Sequence, residues 1–431
     1  MRGITIESAK PPKRRKKLIR RLILLFVVVF VVILAFDRIR RPNVDERDLI
    51  NLSQIPIRKS FSVKTDKPIK ELKLLIDNQE VINIKLDKPS NLVSFDLSPS
   101  KLGIKEGEKN ITLKVRSGFF WRSYEVKGYV DLTPPPLNTL KVSNQLYVGS
   151  AGAIKVRSEK DANVSLECLG RKTPLTSISE GEFFGLFPIT LDSPLRFNCT
   201  LVSKDKAGNI STIELSMSPN AMRFRQENIE LKEETIRRIG LSLIENSTSL
   251  DPKQIFIQVN ERLRRENLSE LENLSPKSSS KKLWQGPFLS LERAKVISGY
   301  GDLRYYILNG SKISESRHMG LDLASVANAP VKAANSGIVV FARFLGIYGN
   351  TIVIDHGLGL MSLYSHLSEM LVNEGQSVNK GQIIGKTGMT GLAFGDHLHF
   401  GILVHGYEVN PSFWLRERWV QENIERVFLS R

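Results

Sequence analysis

The sequence predicts a mainly β, multidomain chain: an N-terminal transmembrane helix, two immunoglobulin-like β-sandwiches, a helical spacer and a C-terminal antiparallel β-sheet domain. Three observations carry this. At 431 residues the chain exceeds the roughly 100–200 residues of an ordinary domain. An uncharged apolar run sits near its start. All six histidines fall in its last third, which sets that part apart chemically.

Composition narrows the functional classes. With 41% hydrophobic and 25% charged residues the chain can bury sizeable cores, so wholesale disorder is excluded. The net charge of +17 is concentrated at the N-terminus, where residues 1–21 hold nine bases against the single acid Glu7. The remainder is only moderately basic, which suits an anionic membrane surface or cell wall, and no nucleic-acid partner is expected. Cys168 and Cys199 are the only cysteines, too few for a Cys-rich zinc or iron–sulfur site.

Residues 1–21 read as a basic cytoplasmic tail and residues 22–36, LILLFVVVFVVILAF, as a transmembrane anchor that just spans a bilayer. The basic block before the run outweighs the flank after it, so the positive-inside rule puts the N-terminus in the cytoplasm and the rest of the chain outside. Leu34-Ala35-Phe36 is a poor cleavage site, which favours an uncleaved anchor over a signal peptide.

Residues 45–135 alternate apolar and polar steps, as in Val81-Ile-Asn-Ile-Lys-Leu and Asn110-Ile-Thr-Leu-Lys-Val, and predict the first sandwich. Pro134-Pro135-Pro136 breaks the pattern, and residues 137–218 predict the second. Asp205-Lys-Ala-Gly-Asn209 resembles the late-strand turn of bacterial immunoglobulin-like repeats. Cys168 and Cys199 both fall on expected strands of this domain, where a structural disulfide is expected in an exported protein. From about Met222 the pattern turns helical. Asp251-Pro252 is a helix start, and Ile255, Val259 and Leu263 recur along one face. With the flexible linker expected at Ser275–Lys282, this makes a spacer over residues 222–283.

Residues 284–431 are again β-rich, and the chemistry sits on them. His318-Met-Gly-Leu-Asp322 places an imidazole and a carboxylate four residues apart. His397-Leu-His399 on a strand turns two imidazoles toward one face. A zinc hydrolase needs three nitrogen or oxygen ligands and an open fourth position. His318, Asp322 and one of His397 and His399 supply that set, leaving the other, with His366 of Tyr364-Ser-His-Leu367, as general base and transition-state stabiliser. Spacing alone does not say which of the pair is the ligand. His356 and His405 read as structural, and Arg304 as a substrate contact or a salt bridge.

Residues 286–415 resemble the lysostaphin/LytM-type (β-lytic) zinc metallopeptidases, which cut peptide cross-links of bacterial peptidoglycan. The resemblance rests on His318–Asp322, on Gly349–Gly357, on Tyr364–Leu367, on the Gly381–Gly385 turn and on Thr390–Phe400 with its His-Leu-His-Phe. It implies a metallopeptidase domain with one Zn2+ per chain held by His318, Asp322 and His399, and His366 and His397 as the catalytic pair. The expected function is then a membrane-anchored endopeptidase acting on peptidoglycan peptides, held in the inner membrane by one helix with its catalytic domain in the periplasm. Regulators of division or elongation are its expected protein partners. The alternative is a non-catalytic regulator of the same fold that activates another wall hydrolase; such proteins typically lack some ligands, and the complete set argues against it.

Overall fold

The structure, a computed structural model, describes residues 13–430; residues 1–12 of the expected cytoplasmic tail lie outside the described residues. The first helix, Lys13–Arg40, contains a 19-residue apolar segment, Lys17–Ala35, none of which is buried against the protein. At 1.5 Å per residue that segment is roughly 28 Å long, close to the hydrocarbon thickness of a bilayer. Val and Ile on every face leave it no polar side to present to water.

Beyond it the chain is mainly β and divides into two compact units, one of residues 1–134 with 206–209 and the other of residues 135–205 with 210–431. In the first, strands Lys59–Ile76, Gln79–Leu97, Gly107–Arg116 and Trp121–Val130, with the short Gln54–Ile55, hydrogen-bond as one five-stranded sheet. Two hydrogen-bonded sheets were expected here. The difference comes from the two long strands, which continue across register shifts between Lys64 and Glu71 where a sandwich would break the chain with a turn. Such bulges bend a strand and increase its twist. One core results, with Phe61, Leu72, Leu74, Val93, Ile111 and Val115 among its buried residues.

In the second unit, residues 137–217 do form two four-stranded sheets. Cys168 and Cys199 are directly opposed on adjacent strands of one of them and are joined as a disulfide. These sheets do not stop at their own core. Ala151, Ala153, Phe184 and Leu186 belong to the same buried cluster as Trp414, Trp419 and Val427 near the C-terminus. Ser143 Oγ donates to the Asn423 carbonyl oxygen at 2.7 Å across the same contact.

The helical region starts later than the sequence pattern suggests. Residues Gln226–Leu231 are a strand, paired in parallel with Leu303–Leu308. Their alternation, with Ile229 and Leu231 on one side, suits a sheet edge, and the partner strand lies more than 70 residues away, out of sight of local periodicity. Helices follow at Glu233–Leu243 and from Pro252 to Glu272. The expected linker is not free either. Ser278 Oγ and the Ser279 N–H donate to the two oxygens of Asp355 at 2.6 and 2.8 Å, and Lys282 pairs with Glu425 at 3.0 Å.

The C-terminal sheet has eight strands, seven of them in the order Lys295–Ser298, Leu321–Ala324, Leu398–Val404, Leu360–Leu367, Gly349–Gly357, Gly337–Leu345, Ser377–Val378, while Tyr407–Val409 pairs with Leu398–Val404. Its central strands are buried on both faces, so they read as almost continuous apolar runs. His356 is one of the few polar groups inside. It is fully buried, with Nδ1 on the Ser336 carbonyl oxygen at 2.8 Å and Nε2 facing Ser362 Oγ at 2.7 Å. Burial pushes its pKa from 6.5 down to about 4.

A base whose folded pKa is depressed favours the folded state while neutral. Its contribution, on the order of 3 kcal/mol, is complete above pH 6.5 and is lost as pH falls from 6.5 toward 4. Chemical denaturation across that window should show the stability of the second unit falling with acid, and His356→Asn should flatten the fall while lowering stability at neutral pH. An unchanged slope in the variant would remove His356 as a cause.

Candidate active site

The five site residues of the sequence reading come together on one side of the C-terminal sheet. In Leu321–Ala324 the alternation of side chains sends Leu321 and Leu323 into the core and Asp322 the other way. Asp322 is directly opposed to His399 on Leu398–Val404, and His399 in turn to Ser365 on Leu360–Leu367. His397 lies just before its strand, bridged to Gly388. His366 lies near the end of Leu360–Leu367 with φ +61°, a left-handed conformation that a non-glycine residue adopts at a cost and that concentrates at functional sites. His318 precedes its strand and is held by a turn, donating its N–H to the Asp302 carbonyl oxygen at 2.9 Å.

All five residues are between 4% and 8% exposed. Their ring orientations follow from what the far nitrogen touches. Nδ1 of His318, His366 and His397 lies 2.8 Å from the carbonyl oxygens of Gly299, Thr390 and Gly395 respectively. A carbonyl only accepts, so each Nδ1 carries the hydrogen and each neutral ring keeps its lone pair on Nε2. His399 is turned the other way. Its Nδ1 is 3.0 Å from His318 Nε2 and 3.0 Å from Asp322 Oδ1, and His318 Nε2 is 2.9 Å from the same oxygen. Three lone-pair donors therefore meet in a triangle that only a proton or a cation can hold together.

That set fits a small divalent cation. Two imidazole nitrogens and a carboxylate oxygen are zinc's donors, and tetrahedral zinc–ligand distances of about 2.0–2.1 Å need donor atoms only slightly further apart than these. His318, Asp322 and His399 form a group whose ligand atoms all lie within 4.8 Å of one another. Asp322 is braced from behind by Arg304, whose Nη2 donates to Oδ2 at 2.6 Å. Arg304 is thus a buried salt bridge. Burial raises the Asp322 pKa, but the close-set rings of His318, His397 and His399 outweigh it, and the carboxyl is held well below the usual range.

His366 and His397 flank the triangle without closing it. Their ring centroids are 4.8 Å apart, and His397 Nε2 is 3.5 Å from Asp322 Oδ1. Burial holds His366 well below the ordinary imidazole range, and its histidine neighbours push it further. His397 is raised, because Asp322 overcomes its burial. The five residues line one cavity of about 410 Å3.

Sequence reasoning passed over three features of this cavity. The Gly299 carbonyl oxygen fixes the His318 tautomer, Tyr348 packs against the His399 ring at 5.7 Å with its hydroxyl on Glu408 at 2.7 Å, and Arg264 is among the lining residues. Tyr348 sits beside the Gly349–Gly357 motif, but nothing in its spacing marks it. Gly320 is explained by contact. A Cβ there would lie 2.6 Å from His399 Cε1 and Nε2 and 2.7 Å from the Phe400 carbonyl oxygen. The carbonyl belongs to the sheet, so the ring must yield. Gly320→Ala should weaken zinc binding about 10–100-fold, the usual scale for a displaced ligand support, measured by competition with a chromophoric chelator. Unaltered affinity would mean that the ring has room to move.

The comparison with family models decides the domain's relationship: residues 316–411 match peptidase family M23. The C-terminal domain is an M23 peptidase domain. The peptidoglycan DD-endopeptidase ShyA of Vibrio cholerae is 44% identical over 93 residues, 22% of this chain and 22% of that protein. The DD-carboxypeptidase/endopeptidase Mpg of Neisseria meningitidis is 40% identical over 117 residues, 27% of this chain and 26% of that protein. Among solved structures, the catalytic domain of lysostaphin from Staphylococcus simulans is 32% identical, over 30% of this chain and 98% of that domain, with a TM-score of 0.26. The chain thus spans about a quarter of the length of the curated relatives it matches, and the similarity to them is confined to about a quarter of this chain.

Proposed function

We propose that this protein is a membrane-anchored zinc metalloendopeptidase that hydrolyses peptide cross-links of bacterial peptidoglycan. The carrying observation is the convergence of His318 Nε2, Asp322 Oδ1 and His399 Nδ1 within 3.0 Å of one another beside His366 and His397. Similarity of the M23 domain to peptidoglycan DD-endopeptidases supports the substrate class. A zinc ion on His318, Asp322 and His399 supplies Lewis-acid chemistry, acidifying water and polarising a carbonyl.

The chain's own work is done by His366 and His397. Each has its Nδ1–H fixed on a backbone carbonyl, which leaves Nε2 to act in the cavity. One takes the proton of the attacking water and returns it to the leaving amine. The other, as an imidazolium carrying a second proton on Nε2, donates toward the oxygen that gains charge. Asp322 and Arg304 keep the ligand side neutral and rigid, and the buried walls limit bulk water. The same reading places residues 22–36 across the inner membrane and the peptidase domain of residues 284–431 in the periplasm.

Incubation of the purified chain with isolated peptidoglycan tests this. Uncross-linked peptides should appear with zinc, vanish with a chelator and return on zinc addition. Zinc bound at one ion per chain without cleavage would sink the enzyme and favour a regulator of another hydrolase. Alkaline extraction of membranes tests the anchor, which predicts that the full chain stays in the pellet and that residues 37–431 do not.

A further inference from the structure

The helix over residues 252–272 is not uniform. Regular turns at Pro252–Ile257 and Arg264–Glu272 flank a π-helical stretch at Gln258–Leu263. A π turn holds an extra residue, so whatever follows is rotated by about 100° relative to an unbroken helix, and such turns are frequent at functional sites. Arg264 is the first residue after it. It lines the same cavity as the five residues of the active site, next to Ile229, Ile347 and Leu392.

Its guanidinium is held in place. Nε donates to the Asn260 carbonyl oxygen at 3.1 Å and Nη2 to Asn260 Oδ1 at 2.7 Å. Asn260 is only 2% exposed and is itself anchored, donating to Ser314 Oγ at 2.9 Å and to the Glu315 carbonyl oxygen at 3.1 Å. Both of Arg264's bonds go to a neutral side chain and its backbone, and among the described residues it forms no ion pair with a carboxylate. The buried carboxylate of Glu408 feels its charge but takes a hydrogen bond from Tyr348 instead, and Glu408 Oε2 is left without a partner. Two of five N–H donors are therefore used for positioning, and three remain on a side chain that lines the cavity. A pre-set planar fork with no carboxylate hydrogen-bonded to it is suited to one from a ligand, which it can hold through two parallel bonds.

We propose that Arg264 is a substrate-recognition residue that pairs with a free carboxylate of the peptide in the groove, with Asn260 as its positioning residue, so that acidic peptides are selected over amidated ones. This rests on the peptidase reading of the cavity, and the test separates the two. The full-length chain carrying His366→Ala, which blocks turnover, is titrated with a cross-linked peptidoglycan peptide bearing its free carboxylates and with the same peptide amidated. Amidation is expected to weaken binding about 10–100-fold, the scale of a charge-assisted hydrogen-bonded pair. Adding Arg264→Gln should cost the same factor for the acidic peptide and nothing more for the amidated one. Arg264→Lys, which keeps the charge and the helix, should retain part of the preference, and so guards against a merely misfolded variant. Equal binding of both peptides, a preference that survives Arg264→Gln, or no binding of either peptide at millimolar concentration overturns the proposal. Binding with the expected preference but no hydrolysis by the unsubstituted chain overturns the peptidase reading alone.

Discussion

Replacing His399 by alanine is expected to abolish zinc binding and hydrolysis together, whereas His366→Ala should leave zinc bound and lower hydrolysis by a factor on the order of 10²–10⁴. The distinction follows from geometry. His399 Nδ1 is one corner of the three-donor triangle, and two remaining ligands make a weak site. His366 meets no corner of the triangle within hydrogen-bond distance, and its ring stands 4.8 Å from that of His397 and 5.8 Å from that of His399. Metal content by atomic emission and hydrolysis by chromatography of released peptides read the two effects separately. Full hydrolysis by His366→Ala would end its assignment as an acid–base group, and zinc retained by His399→Ala would mean that the ligands lie elsewhere.

The second large effect is expected at Arg304. Its guanidinium and the Asp322 carboxylate form a pair that is 17% and 8% exposed on their side chains. Removing one member of a buried ion pair leaves an uncompensated charge, typically at about 3–5 kcal/mol. Arg304→Ala should therefore destabilise the metal-free second unit by about that amount. Zinc affinity should also fall about 10–100-fold, because Asp322 loses the contact that fixes its second oxygen. Denaturant titration of metal-free protein gives the first number, since bound zinc would itself offset the orphaned carboxylate. Arg304→Lys keeps a charge but not the geometry and should fall between. If Arg304→Ala unfolds at the same denaturant concentration as the original, the pair contributes nothing to stability.

Much of the site could be read before any fold was known, and the reason is local. His318 and Asp322 lie four residues apart, and His397 and His399 two apart around a strand start, so the distances within each pair are set by backbone periodicity. The division of the five into ligands and a catalytic pair came from the resemblance of the motif around them and stands as part of the proposal. Arg304 was left between a substrate contact and a salt bridge because its partner is set by how Leu303–Leu308 and Leu321–Ala324 are brought together, which no spacing encodes. The Ser/Lys-rich stretch before Trp284 reads as free linker by composition, yet Asp355 and Glu425, more than 70 residues on, hold it down. Residues 226–231 carry a strand pattern too short to announce itself without the partner strand at 303–308.

The sequence by itself determined the apolar helix, the dominance of strands and the chemical type of the site, because each depends on residue identity and on spacing within a few positions. Tertiary structure alone decided that one bent sheet forms over residues 54–130, that the second pair of sheets shares a core with the C-terminal helices, and that Arg264 and Tyr348 join the cavity. These depend on which distant surfaces exclude water from one another. Burial of apolar area is non-directional and leaves no period in the chain to be read.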